Sequence, residues 1–113
     1  MSLLQEREYY KPFSYPWAFE HYKTQQHMHW LPDEVPLADD LKDYREKMSI
    51  GQKKLLSSLF RFFTQADVDV CCGYAKHYLP TFKQPEIRMM LSAFAAMEAV
   101  HQAVSYTHLR APE

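Results

Sequence analysis

Apolar residues recur at intervals of three and four along residues 50–79, the spacing that places side chains on one face of an α-helix. This face carries Phe60, Phe63, Asp67, Val70 and Tyr74. Ser49 and Gln52 fit a capping box at the start of the segment, where each side chain would satisfy a free N–H of the first turn. The pattern therefore predicts one long helix that ends at about Leu79, ahead of Pro80.

A second segment with the same spacing follows a turn at residues 80–84. Pro85 suits the first helical position, and Glu86 would stand beside the positive end of the helix. One face of this segment carries Ile87, Met90, Leu91, Phe94, Glu98 and His101. We therefore expect a second long helix from residue 85 onward.

The first part of the chain has a less regular pattern. Residues 1–16 show no clean period and predict an extended strap, whereas residues 17–30 and 37–47 predict two shorter helices. Pro32 and Pro36 bias the residues before them away from helix, so residues 31–36 form a predicted loop. With only 2 Gly, the chain has few sites for tight turns, which argues against a many-stranded sandwich or barrel.

Composition and charge exclude several classes of protein. A formal net charge of −1 argues against a nucleic-acid binder, which would be strongly basic. No apolar run approaches the roughly 18 residues of a transmembrane helix, and the charged N-terminus lacks the apolar core of a signal peptide. The adjacent Cys71 and Cys72 form neither a disulfide framework nor a CxxC site, and we expect them to pack as small hydrophobic residues. The simplest interpretation is a reduced, cytoplasmic protein without membrane or nucleic-acid partners.

Three ionisable residues interrupt the apolar faces of the two long helices. Asp67 lies within the first face, and Glu98 and His101 lie within the second. Burying an unpaired carboxylate costs several kcal/mol, so a compensating group is expected, and a metal ion is the strongest candidate. Glu98 and His101 are neighbours on a helix surface, and carboxylate plus imidazole suits iron or manganese. Glu-x-x-His with a carboxylate from a facing helix is the pattern of di-iron carboxylate bundles.

Structural roles stay open for the same residues. A Glu-x-x-His spacing arises by chance in many helical proteins, and Asp67 could be the salt-bridge partner of a Lys or Arg. Trp30 is more often a packing anchor than anything else. His27 and His29 are two residues apart and point to different sides of a helix, so we do not expect them to share a metal.

Four segments of the chain occur in the order found in one known family. They are HWLPDEV (29–35), DLKDY (40–44), FFTQAD (62–67) and AAMEAVH (95–101). Together with the 31-residue spacing from Asp67 to Glu98, they resemble the small subunit of class I ribonucleotide reductase over about residues 10–103. The resemblance implies an all-α, ferritin-like helical bundle, of which this chain would contain the N-terminal helices only.

The resemblance also implies roles for individual residues. Asp67, Glu98 and His101 would be ligands of a dinuclear iron, manganese or mixed centre, and Trp30 would lie on the radical-transfer route to the large subunit. The small subunit of this family is normally a homodimer. The complete cofactor reacts with oxygen and oxidises a nearby tyrosine. The large subunit then uses the radical equivalent to make deoxyribonucleotides from ribonucleotides.

Two departures from the family pattern lie at the C-terminal end. The family's other ligands, a glutamate and a second Glu-x-x-His, lie downstream, so we expect residues 1–103 to be the N-terminal part of a longer domain. The family's radical tyrosine usually stands four residues after the ligand histidine, where this chain has Ser105. Tyr106 comes one residue later and is turned by about 100°, so no radical tyrosine is assigned. Residues 104–113 resemble a translated sequencing adapter and are expected to be a non-native tail.

Two other functions are compatible with these features. One is a different di-iron carboxylate bundle, such as a ligand-binding oxidase of the same superfamily or an iron-storage protein, and the other is a metal-free helical interaction module. With half of the ligands, the 113-residue chain is expected to be inactive alone and to bind metal weakly at most. Poor solubility is also expected, because the incomplete bundle would expose Phe60, Phe63, Met90 and Phe94.

Overall fold

The computed structural model describes residues 2–110 and contains helices without strands over that range, which confirms the all-α fold class. In chain order the elements are α1 (Pro16–His27), a 3₁₀ turn (Pro32–Glu34), α2 (Ala38–Glu46), α3 (Ile50–Gly73), a π-helical segment (Tyr74–Tyr78), α4 (Leu79–Thr81) and α5 (Pro85–Arg110). Residues 2–15 contain no regular helix but form several turns and bends, so the predicted strap is not extended throughout. Within the described range, no helix combines the length and apolar character that crossing a membrane requires.

The described residues form two compact units. The first comprises residues 2–29 and 69–98, and the second comprises residues 30–68 and 99–110. Helices α3 and α5 therefore each contribute residues to both units.

The start of α3 follows the predicted capping box. The Ser49 N–H donates to Gln52 Oε1 at 2.9 Å, and the Gln52 N–H donates to Ser49 Oγ at 3.2 Å. Two N–H groups that the helix itself cannot satisfy are thereby paired. The helix begins at Ile50, where the sequence places it.

The end of this long helix differs from the prediction. Regular α-helix stops at Gly73, a π-helical segment follows, and helical geometry then continues through Pro80 to Thr81. A proline lacks an N–H, and its ring collides with the carbonyl four residues earlier in a regular α-helix. The wider π turn directly before Pro80 relieves this collision. The predicted stop ahead of Pro80 is therefore wrong, because the backbone changes its helical geometry instead of ending.

The core of the first unit is small and apolar. Ala18 of α1 is fully buried, and Ile87 and Leu91 of α5 are 3% and 8% exposed. Larger side chains complete this cluster. Leu3 and Tyr15 come from the strap, Tyr74, Leu79 and Met90 from three helical elements, and Phe82 directly follows α4. The small side chain of Ala18 lets α1 approach α5 closely.

A buried ion pair ties the N-terminal strap to the start of α5 in the same unit. The Arg7 guanidinium and the Glu86 carboxylate are both fully buried and interact through two parallel hydrogen bonds, of which Arg7 Nη1 to Glu86 Oε1 measures 3.0 Å. Glu86 Oε1 also accepts the backbone N–H groups of Ser14 and Tyr15, each at 3.0 Å. Glu86 is therefore not a solvated charge at a helix end but the centre of a buried polar cluster.

The electrostatics of this pair favour the charged forms of both groups. Burial by itself raises the pKa of the Glu86 carboxyl, but the Arg7 hydrogen bond, the backbone N–H groups and the Arg7 charge outweigh that effect and hold the pKa below its ordinary value. The hydrogen bond to Glu86 in turn raises the pKa of Arg7 against the opposing effect of burial. The pair is ionised over the whole neutral range.

In the second unit, α3 and the last turns of α5 contact each other through side chains. The rings of Phe60 and His108 stack with centroids 5.2 Å apart, and His108 Nε2 lies 3.4 Å from Asp40 Oδ2 of α2. Gln102 Nε2 of α5 donates to the backbone carbonyl of Asp67 on α3 at 3.3 Å. These contacts align the stretches of α3 and α5 that carry candidate ligands.

Candidate metal centre

Helices α3 and α5 bring the three predicted ligand residues together. One ligand atom from each of Asp67, Glu98 and His101 lies within 4.8 Å of the others, and all three side chains are half-buried. Glu98 and His101 are one helical turn apart on α5, so their side chains leave the helix on the same side. The group consists of two carboxylates and one imidazole.

The backbone at this group is held by a neighbouring side chain. Gln102 directly follows His101, and its amide donates to the carbonyl of Asp67. The residue next to one candidate ligand therefore contacts the backbone of another. This bond limits sliding of α5 along α3 and so limits the separation of the Asp67 and His101 side chains.

The donor set fits a transition metal of intermediate hardness. Carboxylate oxygen with imidazole nitrogen suits iron or manganese. Metal–ligand bonds of about 2 Å place two ligands of one ion at most about 4 Å apart, so a group within 4.8 Å needs only a small side-chain adjustment to close on an ion. Among residues 2–108, whose side chains the structure describes, no Lys or Arg forms an ion pair with Asp67, so the salt-bridge alternative finds no support there.

Trp30 lies next to His101 within the second unit. Its ring centroid is 6.2 Å from that of His101, and the two ring planes are tilted by 36°. Trp30 is half-buried, so one part of the indole contacts protein and another part faces solvent. This arrangement is compatible with a packing role for Trp30 and with a position on a radical-transfer route that begins at His101.

Tyr74 is a neighbour that the sequence analysis did not single out. Its ring contacts those of Tyr78 and Phe94, with centroids 5.6 and 6.4 Å away. Burial raises the pKa of the Tyr74 hydroxyl, and the negative charge of Glu98 raises it further. The sequence does place Tyr74 seven residues after Asp67 on the same helix face, and this spacing could have indicated a position near the candidate ligands.

Other candidate residues lie elsewhere. Tyr106, which was not assigned a radical role, is 48% exposed on α5. Both cysteines are free thiols. The expectation that they pack as small hydrophobic residues fits half-buried Cys71, whereas Cys72, about 100° further round the helix, is exposed. His27 and His29 are both exposed.

Comparison with known proteins identifies the family. The family model described as "Ribonucleotide reductase, small chain" matches residues 7–110. Because this match covers nearly the whole chain, the chain belongs to the ribonucleotide reductase small-chain family. The predicted ferritin-like helical class is in agreement with that membership.

Individual relatives carry corresponding names. A protein of Invertebrate iridescent virus 6 named "Probable ribonucleoside-diphosphate reductase small subunit 376L" is 49% identical over 107 residues, which is 94% of this chain and 30% of the relative. A second, from Invertebrate iridescent virus 3, is 45% identical over 96% of this chain and 28% of its own length. A ribonucleoside-diphosphate reductase subunit beta of Chlamydia pneumoniae is 32% identical over 80% of this chain and 26% of its own length. The chain thus spans less than a third of the length of these relatives.

Proposed function

We propose that this chain is the N-terminal part of a ribonucleoside-diphosphate reductase small subunit and supplies half of the protein ligands of its dinuclear metal centre. In the complete protein, this centre generates the radical that the large subunit uses to make deoxyribonucleotides. The observation that carries the proposal is the convergence of Asp67, Glu98 and His101 in a chain of this family.

The ligand roles follow from the donor set. Asp67, Glu98 and His101 would hold iron, manganese or a mixed pair, and the remaining glutamate and Glu-x-x-His would come from sequence downstream of residue 103. When bound, the metal pair supplies the oxidising equivalent that is obtained from oxygen.

The chain's own residues orient and connect this site. The Gln102 amide fixes the backbone of Asp67, which limits the directions in which the carboxylate can point. Trp30, in ring contact with His101, would be the first residue on the route toward the large subunit. The complete protein would act as a homodimer with the large subunit as partner, in the cytoplasm.

A metal titration of the 113-residue chain tests the ligand assignment. Mn²⁺ binding can be followed by electron paramagnetic resonance, because the free aqueous ion gives a sharp signal that is lost on binding. We expect weak binding by the unmodified chain and its loss in Asp67→Asn. Asp69→Asn removes the same charge two residues away, where the side chain is exposed, and should leave binding unchanged.

Two results would contradict this assignment in different ways. Equal Mn²⁺ binding by the Asp67→Asn variant would remove Asp67 from the ligand set. Tight, stoichiometric iron uptake by this chain would contradict the proposal that half of the ligands come from elsewhere.

The source gene offers an independent test of the proposed function. Read past codon 103, it should encode a further glutamate and a Glu-x-x-His, and the complete product with its large subunit should reduce ribonucleoside diphosphates. A gene that stops near residue 113 would overturn the proposal. A continuation with the ligands, combined with an inactive complete protein, would favour another di-iron carboxylate bundle.

A further inference from the structure

A pocket that includes none of the candidate metal ligands lies within the second unit beside the first half of α3. Its volume is about 420 Å³. Seven residues line it: Tyr44, Ile50, Lys53, Lys54, Ser57, Ser58 and Arg61. Three of these residues carry a positive charge, two are serines, and none of the seven has a carboxylate.

The positively charged side chains of this pocket lack the carboxylate partners that several other lysines of the chain have. Lys23, Lys47 and Lys83 each lie within 4.0 Å of a carboxylate oxygen. No ion pair joins a pocket cation to a carboxylate among the described residues. Three neighbouring positive charges therefore repel one another in a chain whose formal net charge is −1.

The order of residues along α3 places a hydroxyl between cations. Lys53, Ser57 and Arg61 follow at intervals of four, and such residues lie above one another on a helix surface. With a rise of 1.5 Å per residue, Lys53 and Arg61 are about 12 Å apart along the axis. One small anion reaches one end of this row, whereas an anion with several linked phosphates reaches both.

Two further features favour negative charge at this position. Ile50, the first residue of α3, lies at the pocket, so the positive end of the helix dipole adds to the side-chain charges. The Lys53 ammonium lies 5.2 Å from the centroid of the Tyr44 ring, and this cation–π contact orients it without neutralising its charge.

We propose that this pocket binds an oligophosphate anion. Lys54 and Arg61 provide exposed charges, Lys53 is positioned by Tyr44, and the hydroxyls of Ser57 and Ser58 donate hydrogen bonds to phosphate oxygens between them. The site is independent of the function proposed above, because it shares no residue with the candidate metal ligands.

Isothermal titration of the 113-residue chain with tripolyphosphate tests the proposal. We expect one-to-one binding that weakens as salt is raised. Lys54→Gln/Arg61→Gln, whose two positions are exposed, should lower the affinity at least tenfold. Lys42→Gln/Arg45→Gln removes the same charge from exposed positions of α2 outside the pocket and should change the affinity less than twofold.

Three outcomes would overturn the proposal: no binding by the unmodified chain, equal losses in the two double variants, or orthophosphate binding as tightly as tripolyphosphate.

A titration with ATP then distinguishes recognition of a nucleotide from recognition of a bare phosphate chain. Equal affinities for ATP and tripolyphosphate support recognition of the phosphate chain alone. Tighter binding of ATP that falls to the tripolyphosphate level in Tyr44→Leu supports a nucleotide stacked on Tyr44.

Discussion

Glu86 and Asp67 are both carboxylates on long helices, but the chain surrounds them in opposite ways. Glu86 is fully buried against Arg7 and two backbone N–H groups, so its charge is balanced by the chain itself. Asp67 is half-buried, and its nearest ligand-type neighbours are a second carboxylate and a histidine. A balanced carboxylate stabilises the fold, whereas two carboxylates and an imidazole within 4.8 Å of one another form a donor set suited to a metal ion.

The largest expected effect comes from breaking the balanced pair. Arg7→Ala leaves the Glu86 carboxylate buried without its cation, and such a change costs about 3–5 kcal/mol. This is a large part of the total stability of a small protein. Urea unfolding followed by circular dichroism measures the loss.

The matched control for this variant is an exposed pair. Lys83→Ala removes a cation that lies 3.9 Å from Glu6 at the surface, and it should cost less than about 1 kcal/mol. Equal losses from the two variants would mean that the Arg7–Glu86 pair is not the special contact that its burial indicates.

The next effect is an acid-induced loss of stability. Because the folded-state pKa of Glu86 lies below the ordinary value of 4.5, the pair contributes its full stabilisation above that value. The contribution is lost as the pH falls through the folded-state pKa. Unfolding free energies measured from pH 7 to pH 3 should therefore decline, and the decline should be smaller in Glu86→Gln. Parallel curves for the two proteins would argue against a pKa shift at Glu86.

The smallest expected change in stability comes from Asp67, the half-buried carboxylate of the comparison. Asp67→Asn removes one of two neighbouring carboxylate charges, and with the strong screening of bulk water this should raise the stability of the metal-free chain by about 1 kcal/mol. Thermal unfolding without and with Mn²⁺ checks this prediction. A destabilised Asp67→Asn variant would place Asp67 with Glu86 as a structural residue.

Local patterns predicted much of the fold. Ser49 and Gln52 define the start of α3 through hydrogen bonds between residues three apart in the chain, so the start can be predicted from local sequence. The periodic apolar face predicts the helix that follows. The same periodicity singled out Asp67, Glu98 and His101, since each interrupts an apolar face. Their assignment as ligands stays a prediction that the titrations above can decide.

Features that depend on residues far apart in the chain could not be predicted from the sequence. Arg7 and Glu86 are 79 positions apart, and neither lies in a pattern that indicates the other. The effect of Glu98 on Tyr74 likewise depends on how residues of α3 and α5 pack within the first unit. The π-helical segment was missed because Pro80 signals a helix end, and a proline rule does not foresee a backbone that widens to accommodate the ring.

The π-helical segment at Tyr74–Tyr78 has a consequence for comparing relatives. A π turn holds about one residue more than an α turn, so it acts as a single-residue insertion stored inside a helix. Removing one residue there would let the segment close to regular α-helix, and Leu79 and Phe82 would keep their places in the apolar cluster of the first unit. A one-residue length difference between homologues at this point therefore represents a change of helix geometry, and an alignment gap placed there carries structural meaning.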